Sequence, residues 1–330
     1  MQYMKNLPPW SNKIYKIVLS VLIIILIGYL SMNAKINEDN HSGEAEAIPS
    51  SEKYYEKDNE NNDNDERNND IVWDDDETIF ENKDIVNILL IGQDKRSGET
   101  RARSDSMIVA SINKNSKTIK LISLMRDMYV QIPGYSDNKL NTAYALGGKD
   151  LLNETIEKNF SISIDGNVEV DFEGFTKVVD KIGGVKIELN ESETYYLNKT
   201  NNLNLSSGEN HLTGDVALQY SRIRYIGNDD YERTQRQRNV LVAAFNKLKD
   251  LNLKILIGLA DEIIPLISTD LSTTEIIALI TKAILWDVSK IETYRIPADG
   301  EFTVTSINGM SVLVPKLSEN RLLLKEYMGY

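Results

Sequence analysis

Sixteen consecutive residues, Ile17 to Met32, read IVLSVLIIILIGYLSM without a charge, which fixes how the rest of the chain can be arranged. Lys5, Lys13 and Lys16 precede this run and an acidic tract follows it. The positive-inside rule therefore predicts a membrane helix with its N-terminus in the cytoplasm. At about 1.5 Å per residue the run reaches about 24 Å, against a hydrocarbon core of about 30 Å. Ile14, Tyr15 and a snorkelling Lys16 make up the difference. The competing reading is a cleaved signal peptide, but its best cleavage position, after Ala34, has bulky Met32 where a small residue is wanted. Both readings place the remainder outside. The expected layout is a short cytoplasmic tail over 1–16, an anchor over 17–34, a stalk over 35–83 and one extracellular domain over 84–330, in a single-pass protein of the cell membrane.

The stalk follows from charge. Between Lys35 and Asp84 stand eighteen acidic residues and five basic ones, which accounts for the whole formal charge of −13. The rest of the chain is neutral, so its acidity says nothing about what the folded part binds. A tract so rich in Asn, Asp and Glu buries too little apolar surface to offset chain entropy, and reads as a disordered, self-repelling spacer. It lacks the fixed oxygen spacing and turn glycine of a calcium loop. There is no cysteine, which removes thiol nucleophiles, thiolate zinc sites and disulfides. His41 and His211 are the only histidines; a Ser-His-Asp triad or a histidine-rich metal site is thereby disfavoured, and His211, just before a helical stretch, reads as structural.

From Asp84 onward the texture changes. Ile85 to Gly92, Ser106 to Ile112 and Thr118 to Leu124 are short apolar runs between polar turns, as buried strands are. Helical spacing follows at Leu151 to Phe160, Phe172 to Ile182, Leu212 to Arg222, Tyr231 to Leu248 and Thr274 to Leu285. Strand-like runs return at Thr293 to Ile296, Phe302 to Thr305 and Ser311 to Val314. The interleaving predicts an α/β domain, a sheet covered by helices. Gly183-Gly184 reads as a helix end entering a strand at Val185 to Leu189.

The chemistry lies in the arginines. Of twelve, nine fall in two windows: Arg96, Arg101, Arg103 and Arg126, then Arg222, Arg224, Arg233, Arg236 and Arg238. Lysine is twice as common and shows no such clustering. The guanidinium fork suits phosphate oxygens and stays charged, so the clustering points to phosphate recognition. The plainer alternative is a set of helix-surface ion pairs, to which Arg222 with Arg224 or Arg236 with Arg238 could belong. Asp94, Arg96 and Arg126 follow strand ends, where open α/β sheets bind ligands, and Asp105 joins them from the adjacent turn. Two acids among cations are what a magnesium site needs when phosphates supply its other oxygens; alternatively each aspartate pairs a neighbouring arginine. No Walker loop is present, and nucleic acid is a poor partner for a neutral outward-facing domain.

These segments resemble the LytR-CpsA-Psr family of cell-wall glycopolymer ligases over about Ile85 to Tyr330. The resemblance is carried by Asn87 to Asp94 (NILLIGQD), Arg103 to Ser106 (RSDS), Leu124 to Asp127 (LMRD), Lys139-Leu140-Asn141 with Ala143-Tyr144, Asp171 to Phe175 (DFEGF), Val178 to Val185 (VVDKIGGV), Ala217 to Arg224 (ALQYSRIR) and Arg233 to Arg238 (RTQRQR). It implies a central mixed β-sheet flanked by helices, and a transferase that moves a polyprenyl-diphosphate-linked glycopolymer, such as teichoic acid or capsule, to peptidoglycan. The new bond is a phosphodiester and polyprenyl phosphate leaves. By position in the motifs, Asp94 and Asp105 are the carboxylates for Mg2+, or Mn2+ in its place. Arg103, Arg126, Arg222, Arg224, Arg233 and Gln237 form the diphosphate clamp. Asp105, Arg103 and Arg126 are the catalytic group, with Asp105 orienting or deprotonating the acceptor hydroxyl, and the polyprenyl chain is expected in an apolar channel between sheet and helices. Departures from the family pattern are Ser106 for a common Thr, Met125 for a common Pro and Gln93 for a Ser-like residue; none removes a charge. Two other functions fit the same residues: a polyprenyl-diphosphate hydrolase with water as acceptor, and a non-catalytic lipid-phosphate binder or regulator of envelope assembly.

Overall fold

Strand β1 (Ile85–Gln93) carries the four consecutive residues Ile88, Leu89, Leu90 and Ile91, all fully buried. A strand covered on both faces has no solvent side, so its sequence does not alternate. In the computed structural model, which describes residues 71, 73, 78–93, 104–224, 229–248, 259, 262–263, 266–272 and 291–330, β1 lies inside a sheet and is followed by β2 (Ser104–Asn113) and β3 (Thr118–Leu124). The short β4 (Tyr129–Val130) and β5 (Asn138–Lys139) lead into helix α1 (Leu140–Phe160). Next come β6 (Gly166–Val170), α2 (Phe172–Lys181), β7 (Val185–Leu189), α3 (Glu191–Asn201), β8 (Gly208–Leu212), α4 (Gly214–Arg222) and α5 (Asp229–Leu248). The described chain ends with β9 (Ser268–Thr269), β10 (Ile291–Ile296), the hairpin strands β11 (Phe302–Ile307) and β12 (Met310–Pro315), and α6 (Leu317–Met328).

The central sheet has the order β10-β3-β2-β1-β6-β9. Its β1–β2, β2–β3 and β6–β9 pairs are antiparallel, while β1–β6 and β3–β10 are parallel. β1, β3, β6 and β10 thus point one way and β2 the other. Four strand C-termini and the N-terminus of β2 meet at one rim, the place where ligands sit in such sheets.

Register assigns helices to faces. Ile108 pairs with Ser123, so Ser106 shares a face with Ser123; both are engaged by α5, through Gln237 and Arg238. Asn87, Ser111 and Lys120 align on the opposite face, where Asn87 donates to the Tyr330 hydroxyl and Lys120 to the Tyr327 carbonyl. The domain is therefore α/β with a central mixed sheet between two helical layers; the sequence texture predicts the class and the family resemblance the mixed sheet.

Three boundaries differ from expectation. α1 begins at Leu140, not Leu151, because the helical stretch crosses the Gly147-Gly148 pair with a kink at Gly148 (φ 69, ψ −155). α4 begins at Gly214; Leu212 and His211 belong to β8. At Gly184 (φ +74) a Cβ would lie 2.6 Å from both the Leu212 carbonyl oxygen and His211 Nε2, so glycine lets β7 and β8 approach. Asp105 is on β2 rather than in the preceding turn. Among the described residues no helix is long and apolar enough to cross a membrane. The expected anchor, most of the stalk and the helix expected at Thr274 to Leu285 lie outside the described residues.

Candidate functional site

Gly92 pairs with Ser106 and Gln93 with Ser104, which leaves Asp105 as the extra residue of a β-bulge. A bulge re-aims a side chain that strict alternation would commit to one face. Two residues past Leu124, the β2–β3 register brings Arg126 opposite Asp105, and Arg126 Nη1 donates to Asp105 Oδ1 at 2.5 Å. Its Nε donates to Asp127 Oδ2 at 3.3 Å and its Nη2 lies 3.7 Å from Asp230 Oδ2. One guanidinium is thus fixed by three carboxylates from β2, the β3 end and the first turn of α5. Lys139 Nζ, at the end of β5, donates to Asp127 Oδ1 at 2.6 Å, and Arg224 Nη2 lies 3.8 Å from Asp105 Oδ2.

The first turns of α5 supply the rest. Arg233 and Gln237 are four residues apart and share a helix face. Arg233 is 3% exposed and its Nη1 comes to 2.7 Å from Asp230 Oδ1. That approach brings the charges together without aligning an N–H, so among the described residues neither Nε nor Nη1 of Arg233 has a hydrogen-bond partner. Gln237 accepts from Ser106 Oγ at 3.0 Å through Oε1, and its buried Nε2 has no partner either. Serine in place of the common threonine therefore keeps the hydroxyl that positions Gln237.

Burial and mutual repulsion set the electrostatics. Burial most strongly, then Arg126 and Arg224, push the Arg233 guanidinium down to about 10. For Arg126 burial is also the largest influence and acts downward, but Asp105, Asp230 and Asp127 outweigh it and hold it above its ordinary value. Burial pushes Asp127 up, yet hydrogen bonds from Asp230 and Lys139 and the Arg126 charge bring it to about 2. Burial holds Asp230 above the usual carboxylate range, with Arg233 opposing and Asp127 adding to the rise.

Of the residues expected from sequence, Asp105, Arg126, Arg224, Arg233 and Gln237 belong to this connected group. Arg222 stacks over the Phe172 ring, 5.6 Å from its centroid. Asp94 and Arg103, with Arg96 and Arg101, lie outside the described residues. Arg236 and Arg238 serve other ends. Arg236, 2% exposed, is held by Glu193 Oε1 at 2.6 Å, Glu232 Oε2 at 2.6 Å and the Ile223 carbonyl at 3.0 Å, which is a structural clamp rather than a solvated pair. Arg238 bonds Ser123 Oγ across to β3. Asp127, Asp230 and Lys139 are the members that the clustering of arginines does not reveal. Asp230 sits three residues before Arg233, the spacing of a first-turn acid facing a helical arginine, and that signal was available.

No three His, Cys, Asp or Glu side chains converge on a metal position among the described residues. What Asp105 offers is Oδ2, beside which, among the described residues, only Arg224 stands, at 3.8 Å. One carboxylate oxygen among cations fits a hard ion that draws its other oxygens from a second aspartate and from phosphate.

The LytR_cpsA_psr family model matches residues 45–326. A relative from Oceanobacillus iheyensis, the polyisoprenyl-teichoic acid–peptidoglycan teichoic acid transferase TagU, is 34% identical over 263 residues, covering 76% of this chain and 78% of its own. Among solved structures, TagT bound to LIIa-WTA superposes with a TM-score of 0.64 at 29% identity, covering 78% of this chain and 96% of that one. A second, the LytR-CPS2A-psr family protein YwtF (TagT) with bound octaprenyl pyrophosphate lipid, gives 0.60 at 28% identity, with 78% and 96% covered. With its fold, its ordered motifs and a family match over most of its length, this chain belongs to the LytR-CpsA-Psr family.

Proposed function

We propose that the protein transfers a polyprenyl-diphosphate-linked cell-wall glycopolymer to a sugar hydroxyl of peptidoglycan. The observation that carries this reading is the kind of buried group left without a partner at the rim. Arg233 Nε and Nη1 and Gln237 Nε2 are all donors. Burying donors without acceptors is costly, and a diphosphate, whose oxygens only accept, satisfies all three beside Arg126 and Arg224. The TagT structures, one bound to LIIa-WTA and one with bound octaprenyl pyrophosphate lipid, support the same ligand class.

In the reaction the acceptor hydroxyl oxygen attacks the sugar-linked phosphorus, and the bond from that phosphorus to the bridging oxygen breaks. Polyprenyl phosphate leaves and a phosphodiester forms. Arg126, Arg224 and Arg233, with Arg103 and Arg222, offset the charge that grows on the phosphoryl oxygens, while Gln237 fixes one of them. Asp105 orients the hydroxyl and takes its proton. Magnesium, or manganese in its place, would be held by Asp94 and Asp105 with phosphate oxygens and would neutralise charge on the diphosphate. The anchor over 17–34 keeps the domain on the outer face of the cell membrane, where donor lipid and wall meet.

Product analysis tests the assignment. The full chain in detergent is given a synthetic polyprenyl-diphosphate oligosaccharide, with and without peptidoglycan fragments, in magnesium or chelator. Glycan joined to peptidoglycan through a phosphodiester, formed only with magnesium, is the expected product. Release of polyprenyl phosphate with free glycan phosphate, whether or not acceptor is present, would make the protein a hydrolase; donor binding without turnover would make it a binder.

A further inference from the structure

Beside the rim, around the edge strand β10, lies a cleft of about 560 Å³ that the diphosphate chemistry does not use. Its walls include Gln235 and Arg238 from α5, Thr293, Tyr294 and Arg295 from β10, and Leu323 from α6. We propose that this cleft is the acceptor subsite, where a peptide-bearing amino-sugar unit of peptidoglycan docks; the proposal rests on the transferase reading above and names its second substrate's place.

Three observations converge on it. The first is charge. Arg238 is 4% exposed, yet its Nε has no hydrogen-bond partner among the described residues. Its other donors go to neutral oxygens, Ser123 Oγ and Gln235 Oε1, each at 2.6 Å. Arg295 faces the same space; burial and this second cation push Arg238 down to about 10. The carboxylate paired with Arg295 is Asp299, whose side chain is 91% exposed. A carboxylate entering the cleft would relieve both guanidiniums.

The second is the balance of the lining. Tyr294, stacked on Tyr327 at 4.6 Å between centroids, lines the cleft with Thr293, whose hydroxyl can bond hydroxyls or amides. Asp299 and Glu301 stand at the margin, Glu301 already paired with Lys316 at 3.1 Å. Inner cations with outer carboxylates suit a stem peptide carrying both carboxylate and amine. They oppose a polyphosphate chain, which the outer carboxylates repel, and the few apolar side chains give a prenyl tail little to bury against.

The third is position. Arg295 Nη1 donates to Met125 Sδ at 3.3 Å, and its guanidinium lies 4.4 Å from the centroid of the Tyr231 ring. Met125 immediately precedes Arg126, and Tyr231 immediately follows Asp230. Arg295 thus touches, on two separate elements, the chain neighbours of Arg126 and of the Asp230 that pairs with it. Met125, where the family commonly has proline, supplies one of those two links.

The test measures binding without catalysis. Soluble disaccharide-peptide fragments of peptidoglycan are titrated calorimetrically into the full chain in detergent, as wild type, Arg295→Gln and Leu323→Glu. The second variant keeps both arginines and places a carboxylate in the cleft. Octaprenyl diphosphate is titrated in parallel. The expected result is fragment binding to wild type that weakens about tenfold in both variants, with diphosphate affinity and melting temperature unchanged in Leu323→Glu. No fragment binding to wild type, equal binding to wild type and Leu323→Glu, or displacement of the fragments by a soluble teichoic-acid chain would overturn the proposal. If fragments bind in the expected pattern but no variant or wild-type protein transfers a donor, the transferase reading fails and the subsite stands.

Discussion

Arg233 shows how a single buried side chain can define a ligand. Its planar fork presents two N–H groups that no described residue accepts, and lysine, a point charge, cannot reproduce that geometry. Arg233→Lys should keep the fold and lower transfer by about 10²-fold or more, the scale of losing a preorganised donor to developing charge; circular dichroism and a transfer assay check the two halves. Asp127 gives a pH prediction. Its carboxyl is held at about 2 in the folded protein, below the unfolded value of about 3.9. A depressed carboxylate stabilises above the unfolded value, and the contribution disappears as pH falls from about 4 through about 2. Melting temperature against pH should therefore fall less steeply across that window in Asp127→Asn than in wild type. At this scale the sequence was partly legible. Arginine clustering pointed to Arg126, Arg224 and Arg233, because guanidinium has few uses besides anions and ion pairs. It also swept in Arg236, whose partner Glu193 lies 43 residues away in the chain, a pairing that only the fold brings together.

Helix α5 separates its arginines by face. Arg233 and Gln237 turn to the rim, Arg236 to α3, and Arg238 to β3 and the cleft around β10. Substitutions one turn apart should therefore fail differently. Arg236→Ala leaves Glu193, 6% exposed, as an uncompensated buried charge, and should cost about 3–5 kcal/mol in denaturant unfolding while the folded fraction still binds octaprenyl diphosphate. Arg233→Ala should do the reverse. The start of α4 is equally exacting. A Cβ on Gly214 would lie 2.2 Å from the Thr176 carbonyl oxygen of α2. Backbone cannot rotate aside as a side chain does, so Gly214→Ala should destabilise by about 1–3 kcal/mol in the same assay. Amphipathic elements such as α2 and α5 were readable from periodicity. α3 was not, because it buries only Glu193, Thr194 and Leu197 along eleven residues and shows no apolar stripe. Its start was nonetheless written in the chain: Asn190 and Glu193 form a capping box. The Asp105 bulge had no signature, since one extra strand residue changes pairing without changing composition.

The whole domain brings four parallel-pointing strand ends to one rim, gathers arginines there from two distant stretches of sequence, and carries a second polar cleft around β10. The α/β class was legible because buried strands and amphipathic helices differ in period. That the sheet is mixed was expected only from the family resemblance, and its strand order was not expected at all, because β10 reaches β3 across more than 160 residues and no local pattern encodes that pairing. A site so built should depend on its cations but not need them for folding. The most direct measurement is single-turnover transfer of a synthetic polyprenyl-diphosphate oligosaccharide to peptidoglycan fragments by the full chain, wild type against Arg126→Ala, with folding checked by melting temperature. Magnesium-dependent transfer by wild type and none by an equally folded Arg126→Ala is the expected result; full transfer by Arg126→Ala would contradict the assignment of this rim as the reacting centre.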